Sequence, residues 1–178
     1  PGVEVRVTDS DGTPLPQGEA GAIEVRGPNV FKGYWKLPEK TAEEFRDGRW
    51  FITGDMGAFD AQGYLSILGR AKDLVITGGL NVYPAEVEAA LDDLPGVATS
   101  AVIGVPHPDF GEAVVACLVP AKGAVLEEAG VRAALRERLA AFKIPKRVLV
   151  LEDLPRNAMG KVQKADLRRL HAGLFAAE

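Results

Sequence analysis

Apolar and charged residues alternate along Val3-Glu4-Val5-Arg6-Val7 and again along Ala22-Ile23-Glu24-Val25-Arg26. A period of two puts one face of each segment in a core and the other in water, so both read as half-buried strands. A turn rich in Asp, Gly and Pro joins them over residues 9–18. Residues 38–45 read as a short helix opened by Pro38, and Trp50-Phe51-Ile52-Thr53 as another strand. Residues 56–68 read as a hairpin turning at Asp60-Ala61-Gln62-Gly63, with Tyr64, Ile67 and Leu68 expected to pack. Up to Gly69 the pattern is that of short antiparallel strands.

Beyond Gly69 helices alternate with strands. Helices are expected over residues 85–94 and 127–142 and from about Ala165, with strands over 99–105, 113–120 and 147–152. Val131, Leu135, Leu139 and Phe142 recur at helical spacing, as do Leu167, Leu170 and Leu174, and each set makes one apolar stripe. The change of pattern sets a domain boundary near residues 69–73. It falls inside Gly69-Arg70-Ala71-Lys72-Asp73-Leu74-Val75-Ile76-Thr77-Gly78-Gly79-Leu80-Asn81-Val82-Tyr83-Pro84-Ala85-Glu86-Val87-Glu88. In that stretch adjacent ions precede a short apolar strand, a glycine pair makes a turn, and Pro84 opens a helix where its missing N–H costs nothing. Glu86 and Glu88 follow near the positive end of the helix dipole.

At 178 residues and 47% hydrophobic content the chain can bury one core or two small ones. The net charge of −4 argues against a general nucleic-acid binder. The charge is unevenly spread, however: residues 132–169 hold eleven of the 21 cations and four of the 25 anions. A basic segment on an acidic body suits a local phosphate site, although a solvated helix face would look the same. The single Cys117 lies in Ala113-Val114-Val115-Ala116-Cys117-Leu118-Val119 and reads as a small core residue. With no long apolar run and no signal peptide, the protein is expected to be soluble and cytoplasmic, without a membrane partner. Because Pro1-Gly2-Val3 opens directly on a strand pattern without Met, the chain is expected to be a piece of a longer protein.

Three segments depart from what packing alone would ask for. Phe51-Ile52-Thr53-Gly54-Asp55 ends a strand on an aspartate able to accept two ribose hydroxyls, though such a residue is also an ordinary turn former. Ala141-Phe142-Lys143-Ile144-Pro145-Lys146-Arg147 sets an aromatic among three cations, which suits a nucleotide as well as a helix C-terminus. Leu154-Pro155-Arg156-Asn157-Ala158-Met159-Gly160-Lys161-Val162-Gln163-Lys164 displays Lys161 on a loop. It is not a Walker A loop, because the first glycine and the Ser or Thr after the lysine are missing. His107 and His171 have no metal-like or triad-like neighbours in the sequence.

Taken in order, Thr53-Gly54-Asp55, the stretch from Gly69 to Glu88, and Pro155-Arg156…Gly160-Lys161 resemble the closing motifs of the adenylate-forming acyl-CoA synthetase superfamily. Within it, Gly27-Pro28-Asn29-Val30-Phe31-Lys32-Gly33-Tyr34-Trp35 and residues 155–164 look most like malonyl-CoA synthetases. The resemblance implies a mixed α/β fold. Residues 1–69 would be the C-terminal part of a large N-terminal domain, with a small β-barrel-like architecture. Residues 70–178 would be a mobile α+β domain turning about a hinge near Lys72. It also implies the reaction: a carboxylate, malonate or something similar, joins AMP with loss of pyrophosphate, and the acyl group then passes to coenzyme A.

By that resemblance Asp55 and Arg70 bind the ribose region of ATP, and Lys161 is the catalytic lysine of adenylation. Gly78 and Gly79 line the pantetheine tunnel, while Phe110, Phe142, Lys143 and Lys146 contact the nucleotide of coenzyme A. Mg²⁺ is expected for the full-length enzyme, its ligand lying outside this chain, and the chain alone is expected to be inactive. A protein lysine acetyltransferase acting on Lys161 is a further implied partner. Two other readings remain open: a binding or regulatory module that is the substrate of such an acetyltransferase, and an adenylation unit that loads a carrier protein. No carrier-domain serine motif follows Lys164, which weakens the second.

Overall fold

The computed structural model describes residues 2–176; residues 1, 177 and 178, the outer ends of the two expected domains, lie outside that range. The fold is mixed α/β and divides into two compact units, Pro1–Lys72 and Asp73–Glu178. Arg70 is still in register with Asp55 in a strand pair and so lies within the first unit.

In the first unit β1 (Glu4–Thr8) and β2 (Gly21–Arg26) pair antiparallel, as their alternation requires. The short helix α1 (Pro38–Glu44) has Pro38 in its first turn and gives way at once to β3 (Phe45–Arg46). Strand β4 (Trp50–Phe59) runs well beyond the four residues expected and pairs antiparallel with β2, β3 and β5 (Leu65–Arg70). The order β1-β2-β4-β3, with β5 also on β4, makes an antiparallel sheet. Register shifts at Ala22/Glu24 and Met56/Gly57 curl it into an open half-barrel. Its apolar face gathers aromatic rings: Phe31 lies 5.0, 5.4 and 5.1 Å from Tyr34, Phe45 and Phe51.

The β4–β5 turn is tied by Asp60, whose Oδ1 accepts from the N–H groups of Gln62 and Tyr64 at 2.9 and 2.8 Å. The expected packing of Tyr64 and Ile67 is not found; both side chains are largely exposed. Tyr64 ends the turn, and the register shift at Met56/Gly57 breaks the alternation of β5, so that Leu65 and Leu68 are partly buried while Ile67 faces solvent.

The second unit follows a 3₁₀ turn at Ala71–Asp73. Strands β6 (Val75–Thr77) and β7 (Leu80–Val82) form a hairpin, and α2 (Pro84–Asp92) starts with Pro84 in its first turn. Strands β8 (Val97–His107) and β9 (Gly111–Pro120) pair antiparallel along nearly their whole length. Helix α3 (Glu128–Arg136), β10 (Arg147–Val150) and α4 (Lys164–Leu170) complete the unit. Strand β10 lies parallel to β9, so this sheet is mixed.

Both faces of the second sheet are covered, which is why β9 reads as a continuous apolar run rather than an alternation. Val102, Val114, Ala116 and Leu118 pack against Val87 and Leu91 of α2 and Val131 and Leu135 of α3. Ala101, Ile103, Val105, Val115 and Cys117 pack on the other side against Leu154 and Leu167 of α4.

Two helices differ from expectation. The helix expected to reach Phe142 stops at Arg136; Leu139 still packs on the core, but Phe142 sits in a separate 3₁₀ turn, Ala141–Lys143, and is partly exposed. Pro145 denies Ile144 the helical region, and the chain must turn there so that the Lys146 N–H can donate to the Val114 carbonyl beside β9. Helix α4 ends at Leu170, which is largely exposed, because only Leu167 faces the sheet squarely while Leu174 packs from the turns beyond. The strand expected over residues 147–152 is likewise shorter, ending at Val150.

Candidate functional site

In the first unit the sheet register sets Asp55 opposite Arg70. The Arg70 Nε lies 3.0 Å from Asp55 Oδ1, and its Nη1 donates to the Thr53 carbonyl at 3.3 Å. Thr53 fixes the approach on two sides: its hydroxyl donates to the Ile23 carbonyl at 2.9 Å and accepts from the Asp55 N–H at 3.1 Å. The arrangement leaves a half-buried carboxylate with one oxygen committed to a guanidinium and spare acceptor capacity on the other. That donor-and-acceptor pair suits vicinal hydroxyls.

In the second unit the β6–β7 turn is built on Gly78 and Gly79 at φ 56 and 79, a left-handed pair that hairpin turns favour. The Gly78 N–H donates to the Phe110 carbonyl at 3.0 Å, which fixes the turn against the β8–β9 loop. Above the Phe110 ring, at 4.3 Å from its centroid, sits the Lys146 ammonium. Gly78, Gly79, Phe110 and Lys146 thus share one corner. His107 packs at a tilt against Phe110 at 4.8 Å and Phe175 at 4.9 Å, an extension of this corner that the sequence pattern did not disclose. Phe142 and Lys143 occupy the 3₁₀ turn packed against β7. Lys143 is engaged by Glu86, its Nζ within 2.6 and 2.7 Å of the two carboxylate oxygens, so its charge is already partnered.

Lys161 sits on a tight turn between Arg156 and Val162, which form an antiparallel bridge. Asn157 organises the turn: its Oδ1 accepts from the Met159 and Lys161 N–H groups at 3.0 and 2.9 Å, and its own N–H donates to the Lys161 carbonyl at 2.9 Å. Gly160 takes φ 78, where a side chain would be strained, and its carbonyl accepts from Arg156 Nη1 at 2.9 Å. The backbone of Lys161 is therefore held while its side chain is exposed. Lys72, the expected pivot, is exposed in the 3₁₀ turn at the division between the units.

Two ion pairs behind this turn escaped the sequence reading, because their partners are far apart along the chain. Lys164 Nζ meets Glu88 Oε1 at 2.6 Å, and Arg168 Nη2 meets Asp73 Oδ1 at 2.6 Å. Among the described residues no group of three or more His, Cys, Asp or Glu is arranged to hold a metal ion.

Residues 86–161 match the AMP-binding enzyme C-terminal domain. The chain is 49% identical over 166 residues to a feruloyl-CoA synthase from Amycolatopsis sp, covering 93% of this chain and 34% of that protein. It is 49% identical over 160 residues to a 2-succinylbenzoate–CoA ligase from Geobacillus kaustophilus, covering 90% of this chain and 32% of the relative. Among solved structures, ATP-bound MatB from Rhodopseudomonas palustris matches with a TM-score of 0.91 and 59% identity, over 98% of this chain and 35% of that one. The chain thus spans about a third of the length of the relatives it matches. Its fold and these likenesses agree: residues 86–161 carry the AMP-binding enzyme C-terminal domain, and over nearly its whole length the chain is similar to part of AMP-forming acyl-CoA ligases.

Proposed function

We propose that this chain serves as the C-terminal portion of a cytoplasmic acid–thiol ligase that activates malonate or a similar small dicarboxylate with ATP and transfers the acyl group to coenzyme A. The named relatives are CoA ligases and a CoA synthase, and one matched structure holds ATP. The preference for malonate rests on residues 27–35 and 155–164, whose motifs resemble malonyl-CoA synthetases.

In the first half-reaction a carboxylate oxygen attacks the α-phosphorus of ATP, and the bond to pyrophosphate breaks. Asp55 accepts from the ribose hydroxyls, and Arg70, oriented by Asp55 and the Thr53 carbonyl, donates in the same region. The Lys161 ammonium lies against the attacking carboxylate and the α-phosphoryl oxygens, where negative charge concentrates. A fixed donor of this kind contributes ~10²–10³ in rate. In the second half-reaction the thiol sulfur attacks the acyl carbon, the thiol proton leaves and AMP departs. Lys72 is the pivot between the two steps. The Gly78-Gly79 turn borders the pantetheine arm, and Phe110, Phe142, Lys143 and Lys146 meet the nucleotide end of coenzyme A, Lys143 by exchanging Glu86 for phosphate. The exposed turn also suits a protein lysine acetyltransferase, which would remove the charge that adenylation uses.

The observation that carries this reading is the Asn157-tied turn: a rigid backbone presenting one exposed ammonium. The test is Lys161→Ala in the complete polypeptide, assayed by malonate-dependent ATP–pyrophosphate exchange and, separately, by thioester formation from supplied malonyl-AMP. Exchange is expected to fall by ~10²–10³ while thioester formation holds. An equal loss in both steps would overturn the role of Lys161, and exchange with acetate or benzoate but not malonate would overturn the substrate.

A further inference from the structure

A catalytic lysine on a turn works only if the turn itself has a fixed address, and helix α4 supplies one. Lys164 opens the helix directly after the Lys161 turn, and the Gln163 N–H donates back to the Pro155 carbonyl at 2.7 Å, so turn and helix are joined without slack. Lys164 and Arg168 lie four residues apart, hence on one face of the helix, with the buried Leu167 beside them. Each cation is claimed by a carboxylate from a different part of the unit. Glu88 of α2 takes Lys164 at 2.6 Å and with the same Oε1 accepts the Val102 N–H of β8 at 2.7 Å. Asp73, the first residue of the second unit, takes Arg168 at 2.6 Å. The Asp73 carboxylate is 15% exposed and Arg168 30%, so water competes for the pair far less than at an open surface.

We infer that Arg168 and Asp73 are positioning residues for Lys161. Their ion pair couples the residue that follows Lys72 to α4, so any rotation at Lys72 reaches the Lys161 turn undiminished. Glu88–Lys164 fixes the near end of the same helix to α2 and β8. With one pair broken, α4 keeps Leu167 in the core but can pivot about it, and the ammonium of Lys161 no longer returns to one place. A misplacement of about 1 Å can cost on the order of 10² in rate, while substrate binding elsewhere is untouched. The inference rests on the proposed role of Lys161 in adenylation.

Arg168→Met keeps the apolar stem and removes the charge. In the complete polypeptide it is expected to lower kcat for ATP–pyrophosphate exchange by about 10–100-fold, with KM for ATP within about twofold and thioester formation from supplied malonyl-AMP retained. Asp73→Asn should give the same loss, and the double variant no more than either alone, because both remove one interaction. Arg168→Lys should recover most of the rate. In the 178-residue chain itself, Arg168→Met should accelerate hydrogen exchange at the Met159 and Lys161 amides without changing exchange in β8 and β9. Equal loss of both half-reactions, additive losses in the double variant, or unchanged exchange at the turn would each overturn the inference. If Lys161→Ala spares adenylation, the reading of Lys161 fails; if Lys161→Ala abolishes it and Arg168→Met does not reduce it, only the positioning role fails.

Discussion

Glu24 is the most demanding residue in the first unit, and replacing it by Gln tests how the curled sheet is held. Its side chain has no exposed surface. Its oxygens accept from Arg6 Nε and Nη2 at 2.8 and 2.6 Å, from Arg46 Nε at 2.6 Å and from Thr8 Oγ1 at 3.0 Å. One carboxylate on β2 thereby ties β1, β3 and, through the β2–β4 pairing, the strand that carries Asp55. Gln keeps the volume and some hydrogen bonds but leaves both guanidiniums without a counter-charge. Removing one partner of a fully buried pair costs ~3–5 kcal/mol. Arg6 and Arg46 are 23% and 30% exposed and recover part of their hydration, so ~2–3 kcal/mol is expected here. For a unit of this size that is a fall of roughly 10–20 °C in midpoint. Both tryptophans, Trp35 and Trp50, lie in the first unit, and Trp50 is flanked by Arg6 and Arg26 at 4.2 and 4.5 Å, so tryptophan fluorescence during urea unfolding reports on this unit alone. Replacing Glu24, Arg6 and Arg46 together by Met should recover most of the loss, since unpaired charge, not lost packing, is the cause. A Glu24→Gln midpoint equivalent to within ~0.5 kcal/mol of the parent would refute the reasoning.

The other expectations concern the second unit. Gly79→Ala meets no atom within 4 Å, so its cost is purely conformational, ~1–2 kcal/mol by helix-band circular dichroism; a variant as stable as the parent would show that the turn does not need its left-handed backbone. In the complete polypeptide the same change should slow thioester formation more than adenylation, and equal slowing would remove the turn from the coenzyme A path. Burial pushes the Cys117 thiol up from 9.0 to about 11, so native protein at pH 8 should not react with a disulfide reagent until it unfolds. Because the folded form holds this proton more tightly than the unfolded chain, its contribution to stability is complete below pH 9 and is lost as pH rises toward about 11. Stability that rises across that window would contradict the assignment.

Much of this was legible locally. Alternation in residues 3–7 and 22–26 marks strands because a pleated chain turns every second side chain to the same face. Pro84 marks a helix start, and Gly78-Gly79 a turn, through the backbone conformations each residue permits. The run from Ala113 to Leu118 marks a buried strand. The roles of the candidate site residues came instead from the resemblance of short motifs to those of the family. Periodicity overruns in one place: the stripe through Val131, Leu135, Leu139 and Phe142 is continuous in sequence, yet the helix ends at Arg136 and Phe142 falls in a separate 3₁₀ turn that Pro145 keeps from extending.

What no local pattern held was which distant residues meet. Asp55 faces Arg70 because of the β4–β5 register. Glu24 gathers two arginines because the sheet curls, and Asp73 meets Arg168 because α4 folds back over the sheet. A charged residue looks alike in sequence whether it is solvated or paired, since the pairing energy depends on a separation and a burial that exist only once the chain has closed. The sequence by itself marked most of the elements and the family motifs, because each rests on a short run of neighbouring residues. The tertiary structure decided which cations are already partnered, as Lys143 is by Glu86, and which, like the exposed Lys161, are held by their backbone alone.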